Sequence, residues 1–183
     1  GEVVGDPYFE LDSARLRCLG GTSQHWGGWC RPLDAYDFDA KAGLAKTAWP
    51  IAKTDLDPYL AETREILEID PVGADQPIRD TGLKVVEFAF SPPVRFADKF
   101  KAALDRHPKI HLVLHANVTR LLPGDDGIVG VRLVGPEGRR HTLRAGRYVL
   151  ATGGIENSRL LLWSNRQGDD RVVPRPATLG RYW

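Results

Sequence analysis

Methionine is missing from this chain altogether, and cysteine occurs only twice, at Cys18 and Cys30. Neither cysteine has CxxC or Cys/His spacing around it, so neither a disulfide framework nor a zinc site is suggested, and the two read as unpaired thiols. Long apolar runs are missing too. None exceeds stretches such as Leu160 to Trp163, far short of the roughly 20 residues a membrane-spanning helix needs. Charge of one sign is not in excess: 25 basic residues face 24 acidic ones, a formal net charge of +1. That balance gives no electrostatic reason to expect nucleic acid or an anionic membrane as partner. No signal-peptide pattern, internal repeat or low-complexity stretch is present.

What remains is ordinary globular material. With 42% hydrophobic and 27% charged residues over 183 positions, the chain is long enough for one domain with a sizeable core. One stretch departs from that background: Leu19-Gly20-Gly21-Thr22-Ser23-Gln24-His25-Trp26-Gly27-Gly28-Trp29. Glycines at 20 and 21 permit positive φ or a close backbone approach, and Thr22 and Ser23 add short hydroxyls suited to phosphate or carbonyl oxygens. His25 and Trp26 then present an imidazole and a flat indole, and Gly27 and Gly28 again remove bulk. This combination suits a planar ligand.

Four segments together carry a family resemblance. Thr22-Ser23-Gln24-His25-Trp26-Gly27-Gly28 resembles the second flavin-contacting segment of the glucose-methanol-choline (GMC) oxidoreductases, in the branch of pyranose oxidases and bacterial sugar or sugar-acid dehydrogenases. Trp49-Pro50-Ile51 with Asp55-Leu56-Asp57-Pro58-Tyr59 resembles a helix start of that family. Tyr148 to Leu162 resembles its strand-to-helix segment near the flavin, and Leu179-Gly180-Arg181-Tyr182 the motif that follows. The segments occur in family order and extend over nearly the whole chain. The implied fold is α/β with α+β character, a partial FAD-binding flavoprotein fold of the two-dinucleotide-binding-domain type with a small antiparallel meander and part of a substrate domain. No G-x-G-x-x-G follows an opening strand, and the C-terminal histidine expected as catalytic base is not in these residues. With an opening at Gly1 and an end inside a motif, the expectation is a central piece of a longer enzyme.

The expected organisation runs as follows. Residues 1–48 hold the glycine-rich segment and a lid loop, 49–95 a helix and strand of the substrate side, and 96–183 the second half of the FAD-binding domain. Residues 1–18 read as an irregular or short-strand approach, and 31–49 as a lid with one short helical turn. Thr54, with Asp57 three residues on, predicts the N-cap of a helix over 55–68, ended by Pro71 and Gly73. A strand is expected over 85–90, broken by Ser91-Pro92-Pro93, and a helix over 96–106, stopped by Pro108. Strands are expected at 110–115, 118–122 and 128–134, with turns at 123–127 and 135–138 and residues 139–144 pairing back. Residues 148–151, apolar without alternation, predict a buried parallel strand that feeds a helix over 155–164. Residues 110–115 and 148–151 would then be parallel strands of a doubly wound sheet.

For site residues the resemblance implies FAD contacts at Gly20, Gly21, Thr22, Ser23, His25, Trp26, Gly27, Gly28, Val118, Ala151, Thr152, Gly153 and Asn157. His25 matches the position that in some members bonds the flavin 8α-methyl and in others packs against it without a covalent link. The covalent bond needs an unprotonated imidazole beside the xylene edge of the ring. Val118 matches a position whose backbone meets the adenine, the bland reading being an ordinary strand valine. Gly153 and Gly154 at a helix start leave amides that favour negative charge by roughly 0.3–1 kcal/mol. Trp26 and Trp29 read as walls of a flavin or substrate pocket, Trp49 and Tyr59 as packing residues, and Glu156 and Asn157 as first-turn capping groups. His107, His111, His115 and His141 lack ligand spacing and read as structural or solvent-facing.

The implied activity is FAD-dependent oxidation of a CH–OH group in a sugar, polyol or other small-molecule alcohol. In the family a histidine takes the hydroxyl proton while hydride passes to flavin N5. Oxygen, a quinone or an electron-acceptor subunit are the alternatives for reoxidation. The rivals are a truncated non-catalytic or binding-only remnant of the same fold and, more weakly, a nicotinamide-dependent dehydrogenase.

Overall fold

The structure is a computed structural model, and it describes residues 4–41 and 48–181. The chain folds as two compact units, one running to His111 and the other starting at Leu112. Its secondary structure mixes α and β, and the sheets among the described residues are small and antiparallel. The observed class is therefore α+β.

In the first unit the approach to the glycine loop contains a single helical turn, α1 (Leu11–Ala14), where an irregular or strand segment was expected; Val3 lies outside the described residues. A 3-10 turn (Gly21–Gln24) leads to β1 (Trp29–Cys30) and to the one helical turn expected in the lid segment, α2 (Ala35–Phe38). Residues 42–47 of that segment lie outside the described residues. The base of the excursion is closed by Trp49, whose N–H donates to the Phe38 carbonyl at 3.1 Å and whose ring meets the buried Phe38 ring edge-on at 5.7 Å.

The helix expected over 55–68 forms in three pieces: α3 (Lys53–Leu56), a 3-10 turn (Asp57–Tyr59) and α4 (Leu60–Leu67). Pro58, which has no N–H and a fixed φ, falls in the tightened middle piece. Thr54 is not the cap: the helix starts two residues earlier than expected, because the Asp55 carboxylate reaches back to the Ala52 N–H at 2.8 Å. Its end also precedes Pro71, since Glu68 adopts a left-handed conformation at φ 56°.

The strand expected over 85–90 divides into β3 (Lys84–Val85), paired with β2 (Gln76–Pro77), and β4 (Ala89–Phe90), paired with β1. Between them the Glu87 carbonyl accepts from the Arg31 guanidinium at 3.2 Å and its carboxylate accepts the Gly73 N–H at 2.9 Å. Backbone and side chain there are thus engaged away from any ladder. Helix α5 (Phe96–Arg106) has the expected bounds, and His107, held extended ahead of Pro108, ends it.

The second unit is a meander, β5 (Asn117–Pro123), β6 (Ile128–Val134) and β7 (Arg140–Leu143), in that spatial order, with α6 (Gly154–Arg166) packed on β5. The meander and the helix follow the sequence reading to within two residues at most ends. Leu121, Val131 and Leu160, the last only 2% exposed, form the core, and Val118, Leu133, Tyr148, Leu150 and Leu161 pack around them. The period-2 alternation of the strands puts Leu121, Val131 and Leu133 on one face. Ser164 and Asn165 are buried beside it and hydrogen-bonded: the Ser164 hydroxyl accepts the Leu121 N–H at 2.9 Å.

Two expected strands do not form. Residues 110–115 are extended without a ladder partner, Ile110, Leu112, Val113 and Leu114 are exposed, and His115 turns to φ 52°. Residues 148–151 also lack a partner: Tyr148 and Leu150 face the core but Val149 between them is 89% exposed. A strand exists only where another backbone meets its N–H and C=O groups. Among the described residues no backbone forms a ladder with either one, so their apolar sequence yields no sheet.

Candidate functional site

The expected site residues divide between the two units, residues 20–28 in the first and 118 and 151–157 in the second. Each group is described within its own unit.

In the first, the glycine loop is seated on the start of α5. Gly20 has φ 82°, and a Cβ there would lie 2.8 Å from the Ala97 nitrogen. Gly28 has φ 76°, and a Cβ there would lie 2.5 Å from the Ser91 carbonyl oxygen. Both glycines are required because the loop touches its own protein, with the Ser91 N–H donating to the Gly28 carbonyl at 2.8 Å. The Ser23 hydroxyl donates to the Gly20 carbonyl at 2.6 Å and accepts the Phe96 N–H at 3.2 Å, so it caps α5 from a distant segment. The Trp26 indole N–H donates to the Val94 carbonyl at 2.9 Å.

The other loop residues stay open. Gly21 has φ 55°, and a Cβ there would meet nothing nearer than the Leu16 carbonyl at 4.0 Å. Thr22 and Gly27 are exposed, the Thr22 hydroxyl accepting the Leu16 N–H at 3.4 Å, and the exposed His25 side chain has no hydrogen-bond partner among the described residues. An open cleft of about 650 Å³ lies against this loop, lined by Gln24, His25 and Trp26 on one side and Arg95, Asp98 and Lys99 on the other. Gln24 donates to the Leu19 carbonyl at 3.4 Å while its Oε1 is buried without a partner. A ligand group with a hydrogen to donate would satisfy that oxygen. Trp29, expected alongside Trp26 in a pocket wall, instead lies 67% exposed on the β1–β4 ribbon, its ring 5.1 Å from Phe90 and 5.8 Å from Phe88. Tyr59, read as packing, is exposed; Trp49 does pack, against Phe38.

A charge cluster next to the loop escaped the sequence reading. Arg31 donates to Asp75 at 2.7 Å and to Asp34 at 3.2 Å, and Lys84 lies 2.5 Å from Asp75 and 3.5 Å from Asp34. Hydrogen bonds from Lys84 and then Arg31 hold the Asp75 carboxyl below its usual range, and Asp75 in turn raises both cations. Only the Arg31–Asp34 spacing is local. The partners at 75 and 84 arrive through the hairpin β2–β3, which no short-range pattern announces.

In the second unit, Val118 packs its side chain into the core and pairs with Leu133, and its strand β5 is an edge strand. Residues 151–153 are exposed. Gly153 has φ 87° with nothing within 4 Å of a Cβ position, so the turn into α6 is open to approach. The amides of Gly154 and Ile155 have no partner among the described residues. The Asn157 carboxamide closes this turn, accepting the Thr152 N–H at 3.0 Å and hydroxyl at 2.6 Å and donating to the Leu150 carbonyl at 3.3 Å. Glu156 pairs with Arg159, whose pKa it raises, and stands in the first turn where an acid complements the helix dipole. Tyr182 of the last motif lies outside the described residues.

Among the described residues no group of His, Cys, Asp and Glu is placed to hold a metal, and no helix is long and apolar enough to cross a membrane. The two cysteines are free thiols. Searches against family models and against curated proteins return no match for the chain.

Proposed function

We propose that the chain is part of a FAD-dependent oxidoreductase of the GMC type, acting on the CH–OH group of a sugar, polyol or related alcohol. What carries the reading is the ordered set of segments at 20–28, 49–59, 148–162 and 179–182. The open turn at Thr152-Gly153-Gly154, with unpaired amides at the start of a 13-residue helix, is a chemically suitable seat for a phosphate or ribityl oxygen. Gly21, Thr22 and His25 are accessible to a ring system, and Trp26 supplies an indole at the cleft. The bare extended segments at 110–115 and 148–151 fit strands whose sheet neighbours belong to a longer chain. FAD would supply the hydride acceptor. This chain would hold and orient it, and the base that takes the hydroxyl proton would come from residues beyond these.

The test is titration of the purified chain with FAD, followed by flavin fluorescence. Saturable quenching that weakens about tenfold or more in Gly153→Val supports the reading. Absence of quenching, with binding of NAD instead, refutes it. Acid precipitation then tells whether the flavin leaves or stays attached at His25.

One observation favours the non-catalytic alternative. Gly20, Ser23, Trp26 and Gly28 all serve contacts within the protein, so a large part of the glycine motif is accounted for by packing of the loop on α5. Under that reading FAD binding is absent and the loop is purely scaffold.

A further inference from the structure

The overall charge balance conceals a sharp segregation. The first unit carries 14 basic and 18 acidic residues, a net of −4, and the second 11 basic and 6 acidic residues, a net of +5. Every lysine lies in the first unit, and all the cations of the second are arginines. Arg120, Arg132, Arg139, Arg140 and Arg144 lie in or at the ends of the meander strands. Arg120, Arg132 and Thr142 form one cross-strand row, since Arg120 pairs with Arg132 and Arg132 with Thr142. Arg140, Thr142 and Arg144 alternate along and just beyond β7, which puts them on the same face as Arg132, opposite the core residues Leu121 and Val131.

No carboxylate occurs anywhere in β5, β6 or β7. Arg132 and Arg140 form no ion pair among the described residues, and β7 is an edge strand with its outer side unpaired. Like charges opposite one another in a sheet are destabilising. Arg120 is drawn off to the Gln167 carbonyl, which relieves the row. Arg132 has no such outlet.

We propose that this face, along β7, is a docking surface for an extended acidic segment of a partner polypeptide. Guanidinium forks suit carboxylates two at a time. Residues four apart on a strand are roughly 13–14 Å apart, so Arg140 and Arg144, on either side of Thr142, match acidic side chains four positions apart in a segment laid along the edge. The face offers no aromatic platform, its positions being Arg120, Leu122, Gly130, Arg132, Val134, Arg140 and Thr142. That argues against single-stranded nucleic acid, which relies on base stacking. The proposal is independent of the flavin reading.

The experiment is fluorescence anisotropy of labelled poly-L-glutamate with the full chain at low and moderate salt, with oligothymidylate and phosphatidylserine-containing vesicles as competing probes. The expected result is salt-sensitive poly-glutamate binding, reduced about tenfold in Arg132→Glu/Arg140→Glu. It should fall less in Arg132→Lys/Arg140→Lys, which keeps the charge but loses the fork, with the fold of both variants checked by circular dichroism. Arg175→Gln/Arg181→Gln, arginines off the sheet, should leave it unchanged. No binding, equal loss in the Arg175/Arg181 variant, or tighter binding of the oligonucleotide or vesicles each overturns the proposal.

Discussion

The hydroxyl of Ser23 accepts the N–H of Phe96, 73 residues further along the chain, at 3.2 Å. A residue from one loop thereby caps a helix from another, and it does so at the position where the family resemblance expects a cofactor contact. Ser23→Ala should cost about 1 kcal/mol in denaturant unfolding, the usual loss for a missing cap. An unchanged midpoint would show that the hydroxyl is free for a ligand instead.

Gly28 separates two causes of glycine dependence. Alanine there must hold φ 76° and press its Cβ to within 2.5 Å of the Ser91 carbonyl, whereas Gly82, at φ 68°, has open space. Gly82→Ala should lose about 1 kcal/mol through backbone conformation alone. Gly28→Ala should lose about 3 kcal/mol or fail to fold, because the ribbon must also shift. Similar losses in both would mean that the contact relaxes freely.

Asn165 is 3% exposed and uses its whole carboxamide. Its Nδ2 donates to Asp170 at 2.8 Å and to the Val173 carbonyl at 3.1 Å, and its Oδ1 accepts the N–H groups of Val172 at 3.1 Å and Val173 at 2.8 Å. Asn165→Ala leaves several of these unsatisfied and should destabilise the second unit by about 2–3 kcal/mol. Thermal unfolding followed by circular dichroism provides the readout. Asn165→Asp should also lose stability, since it exchanges two donors for acceptors.

The cluster of Arg31, Asp34, Asp75 and Lys84 makes the first unit acid-sensitive. Asp75 has a folded pKa below its unfolded value, so its contribution is present above the ordinary aspartate range and is lost as pH falls through the lowered folded value. The raised values of Arg31 and Lys84 have the opposite sense: their contribution is held at neutral pH and lost only at strongly alkaline pH. Stability of wild type should fall below about pH 4 more steeply than that of Asp75→Asn. Parallel acid limbs for the two proteins would exclude the mechanism.

Local patterns told most about the second unit and about α5. Helix α5 has its bounds written in the spacing of Phe96, Phe100, Ala103 and Leu104 and in the stop at Pro108. The meander is marked by Pro123-Gly124-Asp125-Asp126-Gly127 and Gly135-Pro136-Glu137-Gly138. Residues 110–115 and 148–151 have strand-like sequences, yet pairing depends on a second backbone that composition does not reveal. In the site, the sequence singled out Gly20, Ser23, Trp26 and Gly28 as flavin contacts, while their contacts with Ala97, Phe96, Val94 and Ser91, remote in sequence, were not legible in it. The Asp75–Lys84–Arg31 cluster left no local trace, because three separate segments build it.

The separation of lysine from arginine has a practical corollary for proteolysis. Lys109 is the last lysine in the chain and stands two residues before the unit boundary at His111. A lysine-specific endopeptidase that cuts after Lys109 therefore leaves residues 110–183 in one piece. The meander and its helix can be isolated by digestion without cloning, and whether they keep their circular dichroism tells directly if that half stands alone.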